Sequence, residues 1–387
     1  MIGFDLTEEQ QRFQELAHEF AEKEMRPVAA HYDETEEYPW PVLKKAADVG
    51  LLTYMLPEQY GGAGMTNLVT ACIVQEELFW GCAGIATAMG AIGLAATPIY
   101  IGGNEEQKKK YLPMLCSTKK DGMPMIGAYA LTEPDAGSDA ASIRTTAKKV
   151  KGGYVLNGTK QFITNGGVAD IYSVFATHDP SLGADGVSAF IVERGWDGVK
   201  PGKKEKKMGI RASDTSQVIF EDVFVPEENR LGPENEGFLL AMQTFDQTRP
   251  IVAAGAVGIA RAAYEAALQY SLERKQFGRA IAKFQAISFM LADMATEIEA
   301  ARLLCWKSGW LIDQGQPNLQ LSSMAKAFAP EVAMRVTTDA VQIFGGVGYT
   351  RDYPVEKFMR DAKIMQIFEG TTQIQKLVIS RSLIGFG

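Results

Sequence analysis

The sequence predicts an α+β chain in three parts: an N-terminal helical domain over 1–125, a middle β domain over 126–237 and a C-terminal bundle of about four helices over 238–387. Three observations predict it. Apolar residues recur at helical spacing from Thr7 to about residue 115. From Ile126 to about Pro226 the texture changes to short β-rich runs separated by Gly, Asn and Asp. After Gly237 the long helical period returns in three runs of bundle-helix length. A chain of 387 residues is too long for one core of ordinary size, so these parts are expected to share one interior.

The first helix opens at a capping box of Thr7 and Gln10, and Phe13, Leu16, Ala17 and Phe20 build its apolar face. The stretch from Leu78 to Gly103 carries no charge, a length that suffices to span a bilayer. Gly81, Gly84, Gly90, Gly93, Thr87, Thr97 and Pro98 dilute it, and its apolarity is of the Ala type. It is therefore expected to be a helix buried on all sides in a large helical core, lining an apolar pocket. The strands are expected at YVLNGTKQFITNGG, IYSVFAT, VSAFIVE and QVIFEDVFV, with KPGKKEKK (Lys200 to Lys207) as a solvated loop between two of them. The helical runs that follow are 238–275, 284–312 and 321–346.

Composition narrows function by exclusion. A net charge of -8 and a pI near 5.2 argue against nucleic acid or an anionic membrane as the main target, so any anionic ligand must be met by local basic residues. Cys72, Cys82, Cys116 and Cys305 form no CxxC, and His18, His31 and His178 sit in no metal-ligand spacing. No metal site is read, and reduced, mostly buried thiols are expected. The opening MIGFDLTEEQQ is acidic where an export signal is basic and then apolar. No GxGxxG or GxxxxGK[ST] is present, so a nucleotide-type cofactor would have to be held in another way.

Six separated stretches carry the chemistry: YALTEPDAGSD (Tyr129 to Asp139), KQFITNGG (Lys160 to Gly167), FDQTRP (Phe245 to Pro250), ERKQFG (Glu273 to Gly278), QIFGGVGY (Gln342 to Tyr349) and QIFEGTTQIQ (Gln366 to Gln375). The glycine and hydroxyl residues of TEPDAGSD suit either an ordinary polar turn or a backbone that approaches a planar ring or phosphate closely. Arg274 is either a surface helix residue paired with a neighbouring Glu or a planar fork for a diphosphate. Glu369 is either an acid favoured at a helix N-terminus or a base, with Gly370 breaking the regularity and Thr371 or Thr372 capping the next helix.

In order and spacing, these stretches together resemble the acyl-CoA dehydrogenase family, in its medium- and short-chain branches, over essentially the whole chain. The resemblance implies a helical, β and helical-bundle fold, FAD as cofactor, an acyl-CoA substrate and an electron-transfer flavoprotein as partner. It implies a homotetramer built as a dimer of dimers, in the cytoplasm or, for a processed eukaryotic chain, the mitochondrial matrix. It places FAD against Tyr129, Leu131, Thr132, Gly137, Ser138, Phe162, Thr164, Thr371 and Gln373. Thr132 would meet the flavin pyrimidine edge, Thr164 its N5 region, and Ser138 the cofactor or the CoA. Many relatives carry Trp where this chain has Phe162. Arg274, Phe277, Gln342 and Gly346 would reach the FAD of a neighbouring subunit.

For the reaction, the resemblance assigns the base to Glu369, whose backbone N–H would stabilise the developing enolate oxygen. A second pattern in the family puts the base on the helix of FDQTRP, where this chain has Thr248, which is no carboxylate. Asp246, Arg249, Gly370 and Ser138 are the candidates on the substrate side, with Arg249 expected to orient rather than react. The rival readings are an acyl-CoA oxidase, which is usually longer at the C-terminus, a dehydrogenase of branched or cyclic acyl-CoA, and a flavin-free helical interaction protein.

Overall fold

The computed structural model describes residues 5–385; the first four residues of the opening stretch and the last two of the chain lie outside the described residues. The N-terminal part is helical: α1 (Glu8–Phe20), α2 (Ala29–Thr35), α3 (Trp40–Asp48), α4 (Leu68–Gly102) and α5 (Glu105–Leu115). Both halves of the capping box form, Gln10 N–H to Thr7 Oγ1 at 3.2 Å and Thr7 N–H to Gln10 Oε1 at 3.0 Å. Helix α4 starts ten residues before the uncharged run and kinks at Cys82. It runs through the core, as expected, with 83% of its most apolar window buried. Its acids Glu76 and Glu77 are buried too, because Arg261 and Arg302 reach in to pair with them. Gln14 and His18 of α1 bond Glu77, which docks the first helix on the same charge cluster.

The middle part is an eight-stranded sheet. Its strands are β1 (Gly127–Ala130), β2 (Thr146–Val150), β3 (Gly153–Thr164), β4 (Ile171–Thr177), β5 (Val187–Glu193), β6 (Val199–Lys204), β7 (Thr215–Pro226) and β8 (Arg230–Leu231). They pair in the order β6-β7-β3-β2-β4-β5-β8, with β1 beside β4. The four expected strands are β3, β4, β5 and β7. KPGKKEKK is corrected: Lys200 to Lys204 belong to the edge strand β6, paired to β7, and only the remainder is loop. Pro201 and Gly202 hid the strand, and both are tolerated there because it has a neighbour on one side only. Its lysines are exposed, which discourages further strand addition.

The C-terminal part holds five helices among the described residues, three long and two short: α6 (Gly237–Glu273), α7 (Gln285–Asp313), α8 (Leu319–Phe344), α9 (Val355–Met365) and α10 (Thr372–Ile384). A two-strand hairpin, β9 (Lys275–Gln276) and β10 (Arg279–Ala280), interrupts the path from α6 to α7. Helix α6 lies along α4 and α8, so the N-terminal core and the bundle are continuous. Asp361 of α9 holds the loop between β6 and β7 to the bundle, accepting the Ile210 N–H at 2.6 Å, and within α9 it accepts from Lys357 Nζ at 2.5 Å. Glu369 lies in the turn between α9 and α10.

Candidate active site

The α9–α10 turn is built from local chemistry. Thr371 caps α10, its Oγ1 accepting the Ile374 N–H at 3.2 Å. Gly370 takes φ +86°, and a Cβ there would lie 2.5 Å from Gln375 Nε2, so the turn requires glycine. Glu369 itself adopts φ +51°, a conformation that a residue with a side chain holds only when its surroundings impose it. Those surroundings are Gln375 of α10, whose Nε2 donates to the carbonyls of Glu369 and Gly370 at 3.2 Å each, and Lys326 of α8. Lys326 Nζ donates to Met365 O at 2.7 Å and to Gly370 O at 3.3 Å. The Glu369 amide N–H, by contrast, meets no protein acceptor among the described residues.

The carboxylate of Glu369 points back to α6, where Thr248 Oγ1 donates to its Oε2 at 3.0 Å. Burial pushes its pKa above the ordinary carboxyl range, and the Thr248 hydroxyl and the charges of Lys326 and Arg249 pull it part of the way back. Burial likewise holds the Lys326 ammonium below its ordinary value, against the pull of Glu369. Arg249 pairs with Asp246 at 2.5 Å and leaves its Nε buried without a partner among the described residues. Tyr129 of β1 packs on Phe245 and Phe175, and its buried hydroxyl also lacks a partner among the described residues. Its pKa is raised by burial and then by the Glu369 charge. The arrangement is a half-buried carboxylate with a raised pKa, an amide donor in the same residue that has no protein acceptor among the described residues, and the charges of Lys326 and Arg249 acting on it. It can take a proton from carbon and meet a developing oxyanion.

A second wall comes from the sheet. Thr132 O accepts the Gln161 N–H at 2.8 Å, which brings TEPDAGSD beside KQFITNGG. Beneath both motifs lies an ion pair that the motif reading missed: Lys160, fully buried, donates to Glu133 Oε1 at 2.7 Å and to Leu131 O at 2.9 Å. Glu133 in turn accepts the N–H groups of Arg144 and Thr145. The register of β3 on β7 shifts between Lys160 and Ile163, and at this bulge Phe162 takes φ +57° and stands 60% exposed. Thr132 and Thr164 are half-buried nearby, Leu131 is buried, and Gly137 and Ser138 are exposed on the loop, with no atom within 4 Å of a Cβ at Gly137. An exposed aromatic ring beside half-buried hydroxyls and an open glycine suits a flat polar ring system with a phosphate-bearing tail.

The remaining candidates form a separate group. Tyr270 stacks on Phe344 at 4.1 Å, setting the end of α6 beside the end of α8. Arg274, Gln342 and Gly346 lie at these ends and are exposed. Arg274, extended just past the end of α6, makes no ion pair among the described residues. Phe277, at the tip of the β9–β10 hairpin, has φ +50° and is 93% exposed. No hydrogen bond or ion pair among the described residues joins this group to the Glu369 turn. Gln373 is exposed on the first turn of α10.

Fold and site together define a three-domain α–β–α enzyme with a shielded carboxylate where bundle and sheet meet. The chain belongs to the acyl-CoA dehydrogenase family. It matches that family's N-terminal domain over residues 7–119, its middle domain over 128–223 and its C-terminal domain over 235–384. It is 48% identical over 380 residues to the short-chain specific acyl-CoA dehydrogenase of Clostridium acetobutylicum, covering 98% of this chain and 99% of the relative. Butyryl-CoA dehydrogenase from Megasphaera elsdenii has the same fold, with a TM-score of 0.95 and 46% identity over 99% of this chain and 100% of that one. A chain solved in work on the electron transferring flavoprotein of Acidaminococcus fermentans and flavin-based electron bifurcation also superposes at a TM-score of 0.95. It is 49% identical and covers 99% of this chain and 100% of that one.

Proposed function

We propose that this chain oxidises an acyl-CoA thioester between its α and β carbons to the trans-2-enoyl-CoA, with FAD as cofactor and an electron-transfer flavoprotein as electron acceptor. The observation that carries this reading is the Glu369 turn. A carboxylate held at positive φ, shielded, bonded by one hydroxyl and free to accept a proton is a base suited to a weakly acidic C–H. Thr248 fixes the carboxylate from α6. The unpaired amide N–H of Glu369 serves as a donor to the thioester oxygen as charge develops there. Arg249, tied to Asp246, keeps a positive charge at the site without offering a proton acceptor.

FAD, when bound, supplies the acceptor for the β-hydride. Tyr129, Leu131, Thr132, Gly137, Ser138, Phe162 and Thr164 would hold it in one subunit, with Thr371 and Gln373 at the edge of the base turn. Arg274, Phe277, Gln342 and Gly346 would hold the cofactor of a neighbour, which makes the active assembly an oligomer, read as a homotetramer. Ser138 and Gly370 would border the substrate.

The test is Glu369→Gln. Gln keeps the volume and the backbone donor but cannot accept the proton, so the variant is expected to fold, hold FAD and bind acyl-CoA. Anaerobic bleaching of the flavin by butyryl-CoA should slow by at least ~10²–10⁴-fold in rapid mixing. Near-normal bleaching would move the base to another residue. Repeating the wild-type reaction in air and with an electron-transfer flavoprotein separates dehydrogenase from oxidase.

A further inference from the structure

We propose that Lys326, on the long helix α8, is a positioning residue for the base: its ammonium clamps the turn on both sides of Glu369 and sets a positive charge within that turn. The inference rests on Glu369 being the base. Its geometry is specific. Lys326 Nζ spans the turn from Met365 O, at 2.7 Å, to Gly370 O, at 3.3 Å. Its side chain is completely buried. No carboxylate lies within ion-pair distance of it among the described residues, whereas the other two fully or nearly fully buried lysines, Lys160 and Lys357, each hold one at 2.7 Å and 2.5 Å. A buried ammonium bonded to carbonyls alone is costly, and a neutral side chain of the same length would fill the space without that cost. A charge at this place calls for a use of the charge, and the carboxylate carried by the turn that it clamps is Glu369.

The two effects act together. Clamping both ends of the turn keeps Glu369 at φ +51°, so that its carboxylate meets Thr248 and its N–H stays unpaired. The ammonium favours the ionised carboxylate, offsetting the burial that would otherwise keep it protonated at working pH. The groups facing Glu369 are Thr248 and the Asp246-paired Arg249 from α6, Tyr129 from β1, Gln375 from α10 and Lys326 from α8. Arg249 shares its charge with Asp246, whereas Lys326 has no carboxylate within ion-pair distance among the described residues.

The experiment compares flavin-loaded wild type with Lys326→Met and Lys326→Gln, which lose the charge, and Lys326→Arg, which keeps it. Flavin bleaching by butyryl-CoA is followed against pH. Infrared difference titration, with Glu369→Gln in each background as the subtraction, reads the carboxyl directly. Both neutral variants should carry their acid limb and their carboxyl titration to higher pH, with bleaching on that limb slowed by ~10-fold or more, each unit of displacement being tenfold. Lys326→Arg should return the limb toward wild type. An unmoved limb and titration in a neutral variant that retains flavin would overturn the proposal, whatever its thermal stability. Failure of both neutral variants to fold would also overturn it, assigning Lys326 to the scaffold alone. If Glu369→Gln bleaches normally, the base reading fails by itself, independently of the Lys326 variants.

Discussion

Thr248 makes the one hydrogen bond to the Glu369 carboxylate among the described residues, so its hydroxyl sets both aim and proton affinity. It lowers the carboxyl pKa that burial raises. Thr248→Val keeps the shape and removes the donor. The acid limb of flavin bleaching should then move to higher pH, because the ionised base has lost a stabilising partner. The rate on that limb should fall several-fold to about 10-fold, as for a lost hydrogen bond worth ~0.5–1.5 kcal/mol. Bleaching followed from pH 5 to 9 checks it; an unmoved limb would mean that the hydroxyl only fills space. At this scale the turn was legible because its chemistry is local: the Gly370 break and the Thr371 cap are both written within a few residues of Glu369. Lys326 was not legible. Its partners are carbonyls 39 and 44 residues away, and backbone acceptors leave no trace in side-chain identity. A lone lysine on the Ala-rich face AKAFA was the signal available.

At the scale of elements, the β wall depends on the Lys160–Glu133 pair, which ties the bulge of β3 to the TEPDAGSD loop. Strand β3 is legible from its length, whereas the bulge at Phe162 depends on pairing with the distant β7, where Lys160 faces Val218 and Ile163 faces Ser216, which composition does not encode. The short strands β1 and β2 were missed for a similar reason: GAYA is buried at all four positions and TAKKV is mostly polar, so neither alternates. Lys160→Met leaves Glu133 buried without its counter-ion and should cost about 3–5 kcal/mol, read from urea unfolding. The pH dependence follows from Glu133. Burial raises its pKa, but Lys160 and the Thr145 and Arg144 donors outweigh that and hold it below the ordinary carboxyl value. Its contribution is therefore present above that ordinary value and is lost as pH falls through the folded one. Glu133→Gln should flatten this acid-side loss in a urea titration; an unchanged slope would show that the carboxylate is not what acid unfolds.

For the whole molecule, the ends of α6 and α8 present exposed groups without an ion-pair partner among the described residues. Arg274 is a charge with no ion-pair partner among the described residues, and Phe277 is held at φ +50° with almost all of its surface in solvent. Tyr349 and Leu383 add further exposed apolar surface on the same bundle. Isolated apolar side chains on a surface need no explanation, but an aromatic residue displayed at a hairpin tip beside an unpaired guanidinium suits a ligand or a second chain. With net charge -8, a diphosphate anion must find its counter-charge locally, and Arg274 offers the planar fork for it. If this site serves the FAD of a neighbouring subunit, Arg274→Ala removes a charge-assisted contact worth ~1.5–3 kcal/mol and weakens FAD retention by roughly 10–100-fold. The assembly should loosen with it, because the same cofactor bridges two chains. Gel filtration at micromolar protein, with the flavin-to-protein absorbance ratio read across the peak, measures both at once. Flavin loss from an assembly of unchanged size would confine Arg274 to a site within one chain. Unchanged flavin in an unchanged assembly would remove it from the cofactor site altogether and leave its exposed fork without a ligand.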